Sequence, residues 1–121
     1  MIIAIDFDGT CVTHDYPDIG KDIGAVPVLQ ALSKNHKLIL WTMRSGQALI
    51  DAVEWFEKND IPLFGMNENP QQKEWTQSPK AYAQLYIDDA AFGAPLIYPP
   101  NGKRPYINWS VIENNLLGKT Q

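Results

Sequence analysis

The sequence predicts an α/β protein with a mainly parallel central sheet, and two features of its pattern support this prediction. Short continuous apolar runs lie at residues 2–5, 38–41 and 85–87, and such runs are typical of strands that are covered on both faces. Segments with helical spacing alternate with these runs, which favours parallel strands joined by right-handed crossovers. We therefore expect a three-layer, Rossmann-like fold with the sheet between helices.

The first half of the chain has the order strand, loop, helix, strand. After the strand at 2–5, residues 11–24 are polar and turn-rich, and we expect a flap-like loop without a core pattern. Apolar residues at near-helical spacing predict a helix at 25–34, with Pro27 tolerated in its first turn. The second strand, 38–41, ends at Thr42.

A second helix and a third strand are predicted next. Ser45 is a good N-cap for a helix whose apolar face carries Leu49, Ala52, Val53 and Phe56. Residues 61–66 are a strand candidate, weakened by a proline near its start.

The last part of the chain is less regular. Residues 74–83 fit either a short helix or a loop, and 85–87 form another apolar strand. Residues 94–108 are predicted to be a proline-rich loop with at most one short strand, at 96–98. A C-terminal helix is predicted at 109–118.

Size and charge limit the possible functions. A chain of 121 residues can form one domain with a hydrophobic core and is too short for two, so we expect a single domain over 1–121. The formal net charge of −4 argues against a protein that coats nucleic acid through a basic surface. The adjacent pair Lys103-Arg104 is interpreted as a solvated loop tip.

The compartment is inferred from what the sequence lacks. It contains no apolar run long enough to cross a bilayer and no basic, cleavable leader at its start. Cys11 is the only cysteine, so an intrachain disulfide cannot form, and it is interpreted as a packed core residue. We expect a cytoplasmic protein without a membrane partner.

Acidic and hydroxyl side chains follow three of the predicted strands. Asp6 and Asp8 follow the first, Thr42 the second, and Asp88 with Asp89 the strand at 85–87. Ligands of parallel α/β sheets collect outside the carboxyl ends of the strands, so these side chains are expected in one crevice. Crowded carboxylates repel one another unless a cation lies between them, and oxygen ligands suit Mg²⁺ better than zinc.

These residues resemble the motifs of the haloacid dehalogenase superfamily of phosphohydrolases. The resemblance spans residues 2 to about 93 and depends on the signature Asp6-Phe7-Asp8-Gly9-Thr10, followed in order by Thr42, Lys80 and Asp88-Asp89. It implies an enzyme that hydrolyses phosphate monoesters with Mg²⁺ through an aspartyl-phosphate.

The resemblance also implies a role for each acid. Asp6 is the nucleophile and a Mg²⁺ ligand. Asp8 is the general acid/base, and its backbone carbonyl also binds the metal. Asp88 and Asp89 complete or orient the metal site, and which of the two binds directly stays open.

Further residues are implied to contact the substrate. Thr42 donates its hydroxyl to the phosphoryl group, and Lys80 holds Asp6 and the phosphate, with Lys73 as the competing lysine. Gly9, Thr10 and Met43 are substrate-binding candidates. Arg44 is another, with a surface role as its alternative, while His14 is interpreted as a flap residue rather than a metal ligand.

The chain has no room for the cap domain that family members often insert. We therefore expect an open site, closed by a large substrate or by a second copy in a homo-oligomer. The partner is a phosphorylated substrate, a small molecule rather than a macromolecule. Two alternatives remain: a receiver-like signalling domain that is phosphorylated on aspartate, and a phosphate-binding module without catalysis.

Overall fold

The computed structural model describes residues 1–118, which form six strands and three α-helices. The elements are β1 (Ile2–Ile5), α1 (Ala25–Ser33), β2 (Lys37–Leu40), α2 (Gly46–Lys58), β3 (Gly65–Met66), β4 (Leu85–Ile87), β5 (Leu96–Ile97), β6 (Tyr106–Ile107) and α3 (Trp109–Leu117). A single 3-10 turn, Gln72–Glu74, lies between β3 and β4. No helix within these residues has the length and apolar character needed to cross a bilayer.

Four strands form a parallel sheet in the order β3-β2-β1-β4. Strand β1 is central, and its last residue, Ile5, pairs with Leu40 of β2 and with Ile87 of β4. All three pairings are parallel. The mixed α/β architecture and the parallel sheet predicted from the sequence are confirmed, and the carboxyl ends of β1, β2 and β4 lie side by side.

One face of the sheet carries the hydrophobic core. Ile3 and Ile5 pair with Leu38 and Leu40, and these side chains share one face because alternate strand residues point the same way. Side chains from all three helices belong to the same buried cluster, including Leu29, Leu32, Ala52, Phe56 and Trp109.

The other face is covered mainly by irregular chain. Ala4 and Ile39 are buried on this face, and Tyr86 pairs beside Ala4. The Tyr86 hydroxyl donates a hydrogen bond to the carbonyl of Ala81, which is itself buried. The segment around the 3-10 turn therefore lies where a helix layer was expected. The sequence had left residues 74–83 open between a short helix and a loop, and they contain no α-helix.

The third strand is shorter than predicted. Residues 61–66 were expected to pair, but β3 contains only Gly65–Met66. Ile61 donates its N–H to the Phe56 carbonyl at the end of α2, and Pro62 has no N–H to offer. Backbone bonding to β2 begins at Phe64, which donates to Leu38.

The two segments predicted to be loops, 11–24 and 94–108, also differ from the prediction in detail. Residues 11–24 are a loop as predicted, yet Cys11 and Val12 at its start are fully buried, so the segment does contribute to the core. The proline-rich segment 94–108 contains an antiparallel pair of strands, β5 and β6, instead of one. Helix α3 follows directly and packs against α1.

Candidate active site

The carboxyl ends of the central strands open into a cavity of about 550 Å³. Its walls come from the loops after β1, β2 and β4 and from the segment between β5 and β6. The lining residues are Asp6, Asp8, His14, Tyr16, Thr42, Met43, Arg44, Asp88, Asp89, Ala90 and Arg104. Its rim is exposed to solvent, since Met43 is 99% exposed and Tyr16 is 63% exposed.

Asp6 is the first residue after β1, and its backbone is held as if the strand continued. Its N–H donates to the carbonyl of Ile87 in β4, at 3.0 Å. Burial, followed by the nearby negative charge of Asp88, raises the pKa of Asp6 from 3.8 to about 8. The Thr10 hydroxyl, 2.9 Å from Oδ2 of Asp6, partly opposes this rise. The carboxyl group is therefore held where its negative charge lacks compensation.

Asp6, Asp88 and Asp89 form a cluster that can hold a metal ion. One carboxylate oxygen from each lies within 4.8 Å of the other two. The side chain of Asp8 is not part of this cluster. The metal contact expected of Asp8 was through its backbone carbonyl, so this placement agrees with that expectation.

Asp88 and Asp89 differ in the number of contacts that their carboxylate oxygens make with other protein groups. Asp89 contacts His14 Nε2 through Oδ2 at 2.9 Å and the Thr10 hydroxyl through Oδ1 at 3.3 Å. Asp88 accepts one hydrogen bond through Oδ1, from the N–H of Ala90 at 2.8 Å. Oδ2 of Asp88 accepts no hydrogen bond from residues 1–118, so Asp88 has the oxygen more available to a cation.

Gly9 allows the signature loop to pass close to these groups. Its φ is +80°, and a Cβ built on it would lie 2.0 Å from Nε2 of His14 and 2.6 Å from Oδ2 of Asp89. The glycine of the signature is therefore required both by backbone conformation and by space.

Arg44 forms a bidentate ion pair with Asp8. Its Nε and Nη2 donate to the two carboxylate oxygens at 2.9 and 2.7 Å. The remaining N–H groups donate to the carbonyls of Pro17, Asp18 and Ala48, so all five guanidinium donors are used. Arg44 is 2% exposed. It orients Asp8 and ties the flap to α2, and this placement fits neither a substrate contact nor the surface role considered as its alternative.

Thr42 is positioned by a hydrogen-bond network in the loop after β2. Its N–H donates to Oδ1 of Asn67 at 2.7 Å, and its hydroxyl oxygen accepts from the N–H of Arg44 at 3.1 Å. Because the hydroxyl acts as an acceptor there, its own hydrogen is available to a ligand in the cavity. Met43 lies beside it on the exposed rim.

Neither predicted lysine lines this cavity. Nζ of Lys80 lies 5.6 Å from the centre of the Tyr86 ring, beside a different cavity. Nζ of Lys73 lies 3.9 Å from Oε1 of Glu68, and both side chains are exposed. Of the residues expected to meet here, Asp6, Asp8, Thr42 and Asp88-Asp89 do so, and Lys80 does not.

Besides Tyr16 and Ala90 in the cavity lining, three residues of the site were not predicted from the sequence. His14 contacts Asp89, Asn67 holds Thr42, and Arg104 lines the cavity from a segment outside the family resemblance. The polar pattern of the flap gave a weak signal for His14. Asn67 and Arg104 lie in irregular loops, where spacing does not predict the direction of a side chain.

The chain matches no protein-family model and no curated protein. It is similar to a solved structure described as a conserved protein coded by a locus of Bacteroides thetaiotaomicron, with 37% sequence identity and a TM-score of 0.75. The match covers 99% of this chain and 93% of that one. The chain belongs to the same family as that conserved protein. Because nearly the whole of both chains is matched, the shared region includes the strands and loops that surround the cavity.

Proposed function

We propose that the protein is a Mg²⁺-dependent phosphohydrolase of the haloacid dehalogenase type that acts on phosphate monoesters. The observation that carries this proposal is the cluster of Asp6, Asp88 and Asp89 oxygens within 4.8 Å, in a cavity that also contains Asp8 and Thr42. The signature Asp6-Phe7-Asp8-Gly9-Thr10 supplies two of these acids.

The donor set fits a hard divalent cation. All three side chains offer carboxylate oxygens, which suit Mg²⁺. Asp6 and Asp88 would be the direct ligands, with Asp89 oriented by His14 and Thr10. A bound Mg²⁺ would keep Asp6 ionised and neutralise charge on the phosphate.

Asp6 would act as the nucleophile. One of its carboxylate oxygens attacks phosphorus, the bond between phosphorus and the leaving oxygen breaks, and an aspartyl-phosphate forms. Water then attacks the phosphorus and releases inorganic phosphate and the free Asp6 carboxylate. Thr42 would donate its free hydroxyl hydrogen to a phosphoryl oxygen in both steps.

Asp8 would transfer the protons. It takes up a proton from solvent before the first step, gives that proton to the leaving oxygen, and takes one from water in the second step. A carboxylate has about four lone-pair sites, and Arg44 occupies one on each oxygen, so lone pairs remain for this exchange. Arg44 would act as a positioning residue for Asp8.

The exposed rim supports a site without a cap domain. Tyr16 and Met43 line the cavity and are themselves exposed, so they do not cover the carboxylate cluster of Asp6, Asp88 and Asp89. We propose small phosphate monoesters as substrates, with closure of the site by a second copy of the chain.

Hydrolysis of p-nitrophenyl phosphate tests the proposal. We expect many turnovers per protein molecule with MgCl₂ and none with EDTA. Asp6→Asn should abolish turnover and Asp8→Asn should reduce it strongly. Glu54→Gln, the same change of acid to amide at an exposed position of α2, should keep wild-type activity.

The same assay separates the alternatives. A receiver-like domain would take up one phosphoryl group per molecule and release it slowly, and an inactive module would release no nitrophenol. Either result, or full activity of Asp6→Asn, would rule out the proposed enzyme.

A further inference from the structure

The proposed reaction needs a cation at the phosphoryl group besides the metal. A phosphate monoester carries up to two negative charges, and the cavity already contains Asp6, Asp8, Asp88 and Asp89. Arg44 cannot supply this cation, because all five of its donors are used by Asp8 and by backbone carbonyls.

The two lysines that the sequence suggested for this task lie elsewhere. Lys80 points its ammonium group towards the Tyr86 ring, and Lys73 lies beside Glu68 on the surface. Neither lines the cavity that contains the acidic cluster. Of the lysine and arginine side chains in residues 1–118, Arg44 and Arg104 are the two that line this cavity.

Arg104 lines this cavity and is exposed. Over residues 1–118 its guanidinium forms no ion pair and no hydrogen bond. Its five donors are thus available to a ligand, in contrast to those of Arg44.

The position of Arg104 is coupled to the signature loop through β6. Ile107, in β6, donates its N–H to the carbonyl of Gly9 at 3.0 Å. Trp109, which is buried at the start of α3, donates from Nε1 to the carbonyl of Thr10 at 2.7 Å. These two bonds fix the chain just after Arg104 against the loop that carries Asp6 and Asp8.

We propose that Arg104 binds the phosphoryl group of the substrate, in the role that the sequence had suggested for Lys80. This inference rests on the proposed phosphohydrolase function. A guanidinium is suited to the task because its planar fork can donate two parallel hydrogen bonds to phosphate oxygens.

The test compares three variants in the presence of MgCl₂: Arg104→Ala, Arg104→Lys and Lys103→Ala. Lys103 is the adjacent residue with the same charge, and it does not line the cavity. Two quantities are measured: kcat/KM for p-nitrophenyl phosphate, and the affinity for inorganic phosphate by calorimetry.

Removal of a charged hydrogen-bond donor costs about 1.5–3 kcal/mol, which corresponds to a factor of about 10 to 150. We expect Arg104→Ala to lose this factor in both quantities and Arg104→Lys to recover part of it. Lys103→Ala should match wild type, and Mg²⁺ affinity should be unchanged in Arg104→Ala.

Three results would overturn the inference: wild-type values for Arg104→Ala, an equal loss in Lys103→Ala, or a loss on Lys80→Ala that Arg104→Ala does not show. The calorimetric measurement remains informative if the wild-type protein has no turnover. In that case the proposed enzyme fails, while a selective loss of phosphate affinity in Arg104→Ala still supports the binding site.

Discussion

At the scale of single residues, Asp6 connects the fold to the proposed chemistry. The apolar strand β1 delivers this carboxyl group to the end of the sheet, where burial and Asp88 raise its pKa to about 8. An isolated buried carboxylate destabilises the folded state, and a cation beside it reverses that effect. The buried acid should therefore make stability depend on both pH and Mg²⁺.

The first prediction concerns metal-free protein. The raised pKa of Asp6 means that the folded state keeps this proton between about pH 4 and pH 8, while the unfolded chain has released it. The contribution of Asp6 to stability is therefore fully present below about pH 4 and is lost as the pH rises to about 8. We expect Asp6→Asn to have a higher Tm than wild type in EDTA at pH 8.5, and a smaller advantage at pH 6.

Mg²⁺ should reverse the order of the two Tm values, so that wild type becomes more stable than Asp6→Asn. At pH 8.5 the ion binds an ionised Asp6 directly, whereas at pH 6 it must displace a proton, so MgCl₂ should raise the wild-type Tm more at the higher pH. Asp6→Asn should lose most of this shift and Glu54→Gln should keep it. Equal Mg²⁺ shifts in wild type and Asp6→Asn would contradict the assignment of Asp6 as a ligand.

The second prediction concerns the crowding at Gly9. An alanine there would meet His14 and Asp89, whereas Gly24 has a similar φ of +89° and nothing within 4 Å of an added Cβ. Both Gly9→Ala and Gly24→Ala incur backbone strain of about 1–2 kcal/mol. We expect only Gly9→Ala to weaken Mg²⁺ binding, measured by calorimetry. Equal affinities in the two variants would show that the close approach does not shape the metal site.

Some residues of the site could be placed from the sequence, and others could not. Asp6 and Asp88 could be placed because they follow strands directly, and the end of a strand fixes where the next residue lies. Lys80 could not, because it lies in irregular chain several residues before β4, where the direction of the side chain depends on tertiary packing. The pairing of Arg44 with Asp8 depends on the fold of the flap, which the sequence describes only as polar.

At the scale of elements, the buried strands and amphipathic helices were predictable, and the covering of the second sheet face was not. Strands β1, β2 and β4 have clear apolar runs, and α1 and α2 have one apolar side each. The second face is covered by polar chain held by side-chain bonds such as that of Gln72 Nε2 to the carbonyl of Lys80. Such bonds leave no periodic pattern in a sequence.

The third prediction concerns the contact between α3 and the signature loop. Trp109 is buried at the start of α3 and donates a hydrogen bond to the carbonyl of Thr10. Trp109→Phe keeps an aromatic ring but leaves that carbonyl without its partner, which should cost about 1–3 kcal/mol of unfolding free energy. It should also weaken Mg²⁺ binding, because the loop carries Asp6.

Urea denaturation and calorimetry measure the two effects. Trp75→Phe is the control, since Trp75 is 60% exposed and lies away from the cavity. We expect it to change unfolding free energy by less than about 0.5 kcal/mol. A Trp109→Phe protein with wild-type stability would mean that the buried hydrogen bond contributes nothing to the docking of α3.

At the scale of the whole molecule, the parallel sheet gathers side chains that are far apart in the chain into one cavity. Residues from the first loop, the loop after β2, the end of β4 and the β5–β6 segment all line it. A chain of 121 residues thereby builds an acidic cluster, a hydroxyl donor and an arginine at one edge of the sheet. The proposed chemistry requires all of these groups at once.

The most direct measurement is a crystal structure of the protein with MgCl₂ and beryllium fluoride, which mimics a phosphorylated aspartate. We expect beryllium bonded to a carboxylate oxygen of Asp6, Mg²⁺ bound by Asp6 and Asp88, and the Thr42 hydroxyl within hydrogen-bond distance of a fluorine. Beryllium fluoride bound at another residue, or Mg²⁺ bound away from Asp6 and Asp88, would contradict the proposed nucleophile and metal site.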